Sequence, residues 1–140
     1  MRRLGIILLS FWSGFNLLLA MGILLAIVFF HIHAPALHIL FHAPEIAVLD
    51  PRVLATIDSL ATIANVCIGA FCALMLYLIW FGIHPGTKHA YWIVLVSAGA
   101  VQIFGFVSDA FLGHPDLIAN LVSTTILATG FILLGLSARS

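Results

Sequence analysis

Charged residues are scarce in this chain: 7% of its 140 residues are Asp, Glu, Lys or Arg, whereas 64% are hydrophobic. A water-soluble domain carries about 25% charged residues, so this composition excludes one and indicates a membrane protein. Five Lys and Arg balance five Asp and Glu. The chain therefore lacks the polybasic clusters that bind nucleic acid or anionic membrane surfaces, and we expect no nucleic-acid partner.

Cysteine and catalytic motifs are also scarce. The two cysteines, Cys67 and Cys72, are separated by five positions, which places them about 140° apart around a helix, so we do not expect them to form a disulfide. The sequence contains no Cys-x-x-Cys pair, Gly-rich phosphate loop, dinucleotide fingerprint or nucleophile-base-acid set. These absences favour a non-catalytic protein over an enzyme.

Long apolar runs are the main feature that the sequence does contain. Four runs fit membrane crossings of about 20 residues each, and the first is longer than the core of a signal peptide, so we expect it to be retained. Asp50 and Pro51 supply an N-cap carboxylate and a proline at the first helical position, so the second helix is expected to begin ahead of its apolar run. The sequence predicts an all-α membrane protein with one domain, an antiparallel bundle of four transmembrane helices, at about residues 4–30, 57–83, 90–112 and 117–137.

The basic residues are distributed unevenly among the connections. Arg52 alone falls in the first connection, whereas the other basic residues fall at the termini or in the second connection, namely Arg2, Arg3, Lys88 and Arg139. The positive-inside rule then predicts that both termini are cytoplasmic. The first connection becomes an extracytoplasmic loop with room for a short interfacial helix over residues 36–42. This pattern is typical of a small multi-pass protein of a bacterial inner membrane.

Polar residues recur at helical spacing on three of the predicted helices. Residues four or seven positions apart share one face of a helix, and polar side chains are costly in contact with hydrocarbon. We therefore expect these faces to turn inward and to line one cavity that opens outward and binds a ligand. The predicted cavity residues are Asp58 and Asn65 in the second helix, Gln102 and Asp109 in the third, and Asn120 and Thr124 in the fourth.

Histidines and an acidic residue of the predicted outer side supply the residue types of a metal site. His38 and His42 are one helical turn apart, and Glu45 and His114 fall on the same predicted side. Imidazole and carboxylate ligands suit zinc or copper. The alternative is that these histidines are interfacial or pH-sensitive groups, and the sequence predicts no required cofactor.

Three functions remain open from the sequence. The favoured one is a non-catalytic accessory or interaction subunit of a larger membrane assembly or homo-oligomer, whose partners are the lipid bilayer and other membrane chains. The second is a carrier or binding protein for a small solute, lipid or cation in the outward-facing polar cavity. The third is a metal-dependent membrane enzyme that uses the extracytoplasmic histidines.

Overall fold

The computed structural model describes residues 1–34, 46, 48–111 and 117–137 of the chain. These residues are helical or lie in short connections, and they include no β-strand. The four main helices are α1 (Arg2–Phe30), α2 (Pro51–Leu78), α3 (Lys88–Phe111) and α4 (Leu117–Ser137), and a π-helical turn (Ile79–Ile83) continues α2.

All four helices are long and apolar enough to cross a membrane, counting the π-helical turn with α2. This confirms the predicted all-α class with four potential spans. The antiparallel arrangement of all four helices, the single domain and the cytoplasmic location of the termini stay predictions. The interfacial helix predicted over residues 36–42 lies outside the described residues.

The start of α2 follows from the local sequence. Asp50 accepts a hydrogen bond from the backbone N–H of Arg52 through Oδ1 at 2.7 Å, and the helix begins at Pro51. The carboxylate thereby satisfies one of the N–H groups that the first turn leaves unpaired, and proline needs no partner for its own nitrogen. The second helix therefore begins ahead of its apolar run, as the Asp-Pro pair predicts.

Contacts divide the chain into two compact units, residues 1–15 with 72–140 and residues 16–71. In the first unit, α1 approaches α4 closely where two glycines meet: a Cβ on Gly5 would lie 2.8 Å from the carbonyl oxygen of Gly130. Leu9 is buried at the same contact, where a Cβ on Gly130 would lie 2.9 Å from its side chain. Glycine therefore sets the distance between these two helices.

The second unit contains the end of α1 and most of α2. His31 ends α1 in the left-handed region with a φ of 52°, and the N–H of Ile32 donates to the carbonyl of Ala26 at 3.1 Å. The chain then turns so that Ala34 is buried. This turn brings the residues that follow α1 to the side of α2 that carries Asp58.

Candidate functional site

A chain of hydrogen bonds links α1, α3 and α4 within the first unit. Trp12 Nε1 donates to Ser123 Oγ at 2.7 Å, and Ser123 Oγ donates to Gln102 Oε1 at 3.1 Å. Gln102 Nε2 in turn donates to the backbone carbonyl of Asn120 at 3.2 Å. We call these four residues the interhelical polar chain.

Burial explains why the interhelical polar chain is complete. Trp12 and Gln102 are only 4% and 8% exposed, and Ser123 lies between them. A buried amide or indole N–H without a partner costs about 1–3 kcal/mol, so each of these groups needs one. Sequence spacing pointed to Gln102 and Asn120 but not to Trp12 or Ser123. The sequence signal that could have indicated Trp12 is its position well inside a span, because a buried indole N–H requires an acceptor.

Asn120 contributes to the contact between α3 and α4 through both its backbone carbonyl and its side chain. Its carbonyl accepts hydrogen bonds from Gln102 and from Thr124 Oγ1, the latter at 2.7 Å. Its side chain lies against α3, where a Cβ on Gly105 would be 3.2 Å from Asn120 Oδ1. The structure therefore brings together three of the predicted cavity residues, Gln102, Asn120 and Thr124.

The remaining predicted cavity residues have separate surroundings. Asn65 donates through Nδ2 to the carbonyl of Ala61 on its own helix at 2.8 Å. Asp109 is 4% exposed and lies near the end of α3. Asp58 and Asn65 belong to the second compact unit, whereas Asp109 belongs to the first. A single cavity shared by all six residues stays a prediction.

Asp58 forms a second polar centre, within the second unit. Its Oδ1 accepts a hydrogen bond from the backbone N–H of Ala34 at 2.8 Å, and its Oδ2 lies 2.9 Å from His33 Nδ1. The side chains are partly exposed, 22% for Asp58 and 42% for His33. The carboxylate therefore holds the turn after α1 against α2, and His33 adds an ion pair when it is protonated.

The four predicted metal ligands, His38, His42, Glu45 and His114, lie outside the described residues. Within residues 1–34, 46, 48–111 and 117–137, no group of three or more His, Cys, Asp or Glu side chains is placed to hold a metal ion. The zinc or copper site stays a prediction.

Two cavities open on the first unit, and both are lined in part by α3 and α4. One has a volume of about 450 Å³ and lies between the two helices, where Gln102 and Thr124 are its polar residues among apolar side chains. The other, of about 430 Å³, lies where Arg2 meets the connection between α2 and α3. The first of these cavities suits an apolar ligand better than a hydrated ion.

We compared the chain with known protein families, proteins and structures. No family model, no curated protein and no solved structure matches the chain.

Proposed function

We propose that the chain is a non-catalytic membrane protein that acts by association, as an accessory subunit of a larger assembly or as a homo-oligomer. The interhelical polar chain is the observation that supports this role. Its side chains bond to one another or to backbone, so they stabilise the contact between helices. Gln102 and Asn120, two of the predicted cavity residues, thus have a structural use.

The second half of α1 offers a surface for such association. Leu18, Leu25 and Phe29 are 73%, 46% and 70% exposed, and Gly22 lies on the same face at three- and four-residue spacing. A Cβ on Gly22 would have no described atom within 4 Å. In a bilayer, apolar area alone does not drive helices together, whereas a small residue lets a partner helix approach closely. We therefore assign the partner contact to the face around Gly22.

The test is the size of the complex extracted from native membranes in a mild detergent. We expect the tagged chain to elute as an assembly larger than one copy, and Gly22→Leu to reduce the assembled fraction because the added side chain keeps a partner helix away. Met21→Leu changes an exposed neighbour without adding bulk at the contact and should leave assembly intact. A single copy in the unmodified protein, at every detergent concentration that keeps it folded, would contradict the proposal.

A binding role is the second candidate, and the cavity between α3 and α4 favours it. Two of the predicted ligand-binding residues, Gln102 and Thr124, line this cavity. The metal-dependent enzyme has no comparable support among the described residues, because its predicted ligands fall elsewhere in the chain.

A further inference from the structure

One end of the first unit carries a cavity with a cationic mouth. Its lining includes Arg2, Thr87, Lys88, Trp92 and Ser137, and its volume is about 430 Å³. Two positive charges, two hydroxyl groups and an indole ring therefore surround one opening. Lys88 is also the first residue of α3, so the positive end of this helix dipole lies at the same opening.

Arg2 is held at this mouth by the end of α2. Its Nη2 donates to the carbonyl oxygens of Ile83 at 2.9 Å and of His84 at 2.8 Å. These carbonyls belong to the last residue of the π-helical turn that continues α2 and to the residue after it, and a cation stabilises such a helix C-terminus. A Cβ on Gly86 would lie 3.1 Å from the same nitrogen, and Gly86 has a φ of 100°, so glycine makes this placement possible. The guanidinium is therefore fixed before any ligand binds.

The charge at the mouth has no acidic side chain close to it in the described part of the first unit. The acidic residue described there is Asp109, which lies about 31 Å farther along α3 than Lys88 at 1.5 Å per residue. An anion from outside the chain is the natural counter-charge for Arg2 and Lys88. The charges of Arg2 and Lys88 therefore favour a negatively charged ligand at this mouth.

The second cavity lies farther along the same face of α3 than this mouth. The lining residues of the two cavities follow one another at three- and four-residue spacing, namely Lys88, Trp92, Leu95, Gly99, Ile103 and Phe106. This face extends for about 27 Å, which exceeds the roughly 15 Å of one hydrocarbon leaflet. At Gly99 a Cβ would meet no described atom within 4 Å, so the groove is open there. An acyl chain can lie along a helix face of this length, with part of the chain in the cavity between α3 and α4.

We propose that the first unit binds an anionic phospholipid, with the phosphate between Arg2 and Lys88 and one acyl chain in the groove between α3 and α4. A polybasic segment is not required, because Arg2 and Lys88 come from separate parts of the sequence and converge on one mouth. This lipid site goes beyond the proposed accessory role. The lipid site is tested on the purified chain, whereas association is tested on complexes extracted from native membranes. Either prediction can therefore fail while the other holds.

Native mass spectrometry of the purified full chain, titrated in detergent micelles, tests the proposal. The probes are phosphatidylglycerol and phosphatidylcholine with identical acyl chains. We expect phosphatidylglycerol to bind at least about fivefold more tightly than phosphatidylcholine. Lys88→Gln should weaken the binding of phosphatidylglycerol about fivefold, because one cation near an anionic lipid contributes about 1 kcal/mol. Equal affinity for the two lipids would overturn the proposal.

Two matched controls separate a site from general surface charge. Arg3→Gln removes a neighbouring cation that does not line the cavity, and Arg52→Gln removes a cation from the second unit. Both should retain the affinity of the unmodified chain for phosphatidylglycerol. A loss in either control equal to that in Lys88→Gln would show nonspecific attraction and would overturn the site. Arg2 is not substituted, because it also caps α2.

The groove is tested by filling it without changing the charge. Gly99→Leu should weaken binding of phosphatidylglycerol, and Ala128→Leu, on the α4 side of the groove, gives an independent block if the first variant does not fold. Glycerol phosphate, which has the headgroup chemistry without acyl chains, should bind far more weakly than the lipid. Unchanged lipid affinity in a folded, groove-filled variant, or equal binding of glycerol phosphate, would overturn the acyl-chain assignment.

Discussion

At the scale of single residues, two groups of polar side chains inside these helices differ in their hydrogen-bond partners. One group bonds to the carbonyl one turn back on its own helix, as Thr62, Asn65 and Thr124 do. The other group reaches a different helix, as Trp12 and Gln102 do. The carbonyl four residues earlier is within reach of almost any helical hydroxyl, so spacing alone cannot separate the groups. The sequence therefore located the polar faces but not their partners.

Ser123→Ala tests the interhelical polar chain. The substitution removes the acceptor for Trp12 Nε1 and the donor to Gln102 Oε1. We expect it to lower the free energy of unfolding by about 1–2 kcal/mol, because interhelical hydrogen bonds in membranes average about 0.6 kcal/mol each and two buried groups lose a partner. The measurement is reversible unfolding in mixed micelles, followed by circular dichroism.

Thr125→Ala is the matched control, because Thr125 is exposed and donates to the carbonyl of Leu121 on its own helix. Its free energy of unfolding should stay within about 0.5 kcal/mol of the unmodified chain. A double-mutant cycle with Trp12→Phe should give a coupling energy with Ser123→Ala that differs from zero. Additive effects of the two substitutions would show that the bond between them contributes nothing to stability.

Asp58→Ala tests the polar centre of the second unit. The variant loses the acceptors for the N–H of Ala34 and for His33, and we expect about 1–3 kcal/mol of destabilisation from an unsatisfied backbone N–H and a lost charged partner. Asp58→Asn keeps one acceptor oxygen and should lose less. Ser59→Ala, at an exposed neighbour that bonds to Ala55 on the same helix, is the control in the same unfolding assay. Equal stability of Asp58→Ala and Ser59→Ala would refute a structural role for the carboxylate.

At the scale of secondary-structure elements, local signals predicted the helices and several of their ends, whereas a distant contact caps one end. The α4 bounds of 117–137 coincide with the predicted span, and α2 begins where Asp50 and Pro51 indicate. The π-helical turn at the end of α2 was not predicted. It contains backbone bonds spanning five residues, such as the one from His84 N–H to Ile79 O at 2.8 Å. Arg2, 82 residues earlier in the sequence, caps this end. A local sequence pattern could not have indicated this cap.

Gly130→Ala tests whether glycine sets the distance between α1 and α4. The new Cβ would lie 2.9 Å from the side chain of Leu9, and Gly130 also faces Gly5. We expect a loss of about 1–3 kcal/mol in the free energy of unfolding, which is the usual cost of overpacking a tight contact. Gly14→Ala is the control, because its Cβ would meet no described atom within 4 Å. That variant should be neutral or gain up to about 1 kcal/mol, since alanine favours a helix over glycine. An equal change in stability in both variants would show that the close contact at Gly130 does not limit the approach of α1 to α4.

At the scale of the whole molecule, amino-acid composition indicated the class of protein more clearly than any sequence motif did. The balance of 64% hydrophobic and 7% charged residues predicts a membrane protein, and four sufficiently long apolar helices agree with it. Neither observation determines which side of the membrane holds the termini. That assignment depends on the distribution of Arg2, Arg3, Lys88 and Arg139 against Arg52. Orientation is therefore the property of the whole chain that most needs a direct experiment.

Cysteine labelling in intact cells measures this orientation. In a background of Cys67→Ala and Cys72→Ala, we expect Thr87→Cys to be protected from a membrane-impermeant maleimide and Val48→Cys to be labelled. The reason is that the connection with Lys88 is predicted to be cytoplasmic and the connection with Arg52 extracytoplasmic. Both sites are exposed, Val48 at 83%, so burial in the protein does not explain protection. Labelling of Thr87→Cys after the cells are permeabilised confirms that its thiol is reactive. If intact cells labelled Thr87→Cys and left Val48→Cys protected, the chain would have the opposite orientation, and the cationic mouth at Arg2 and Lys88 would face the outer leaflet.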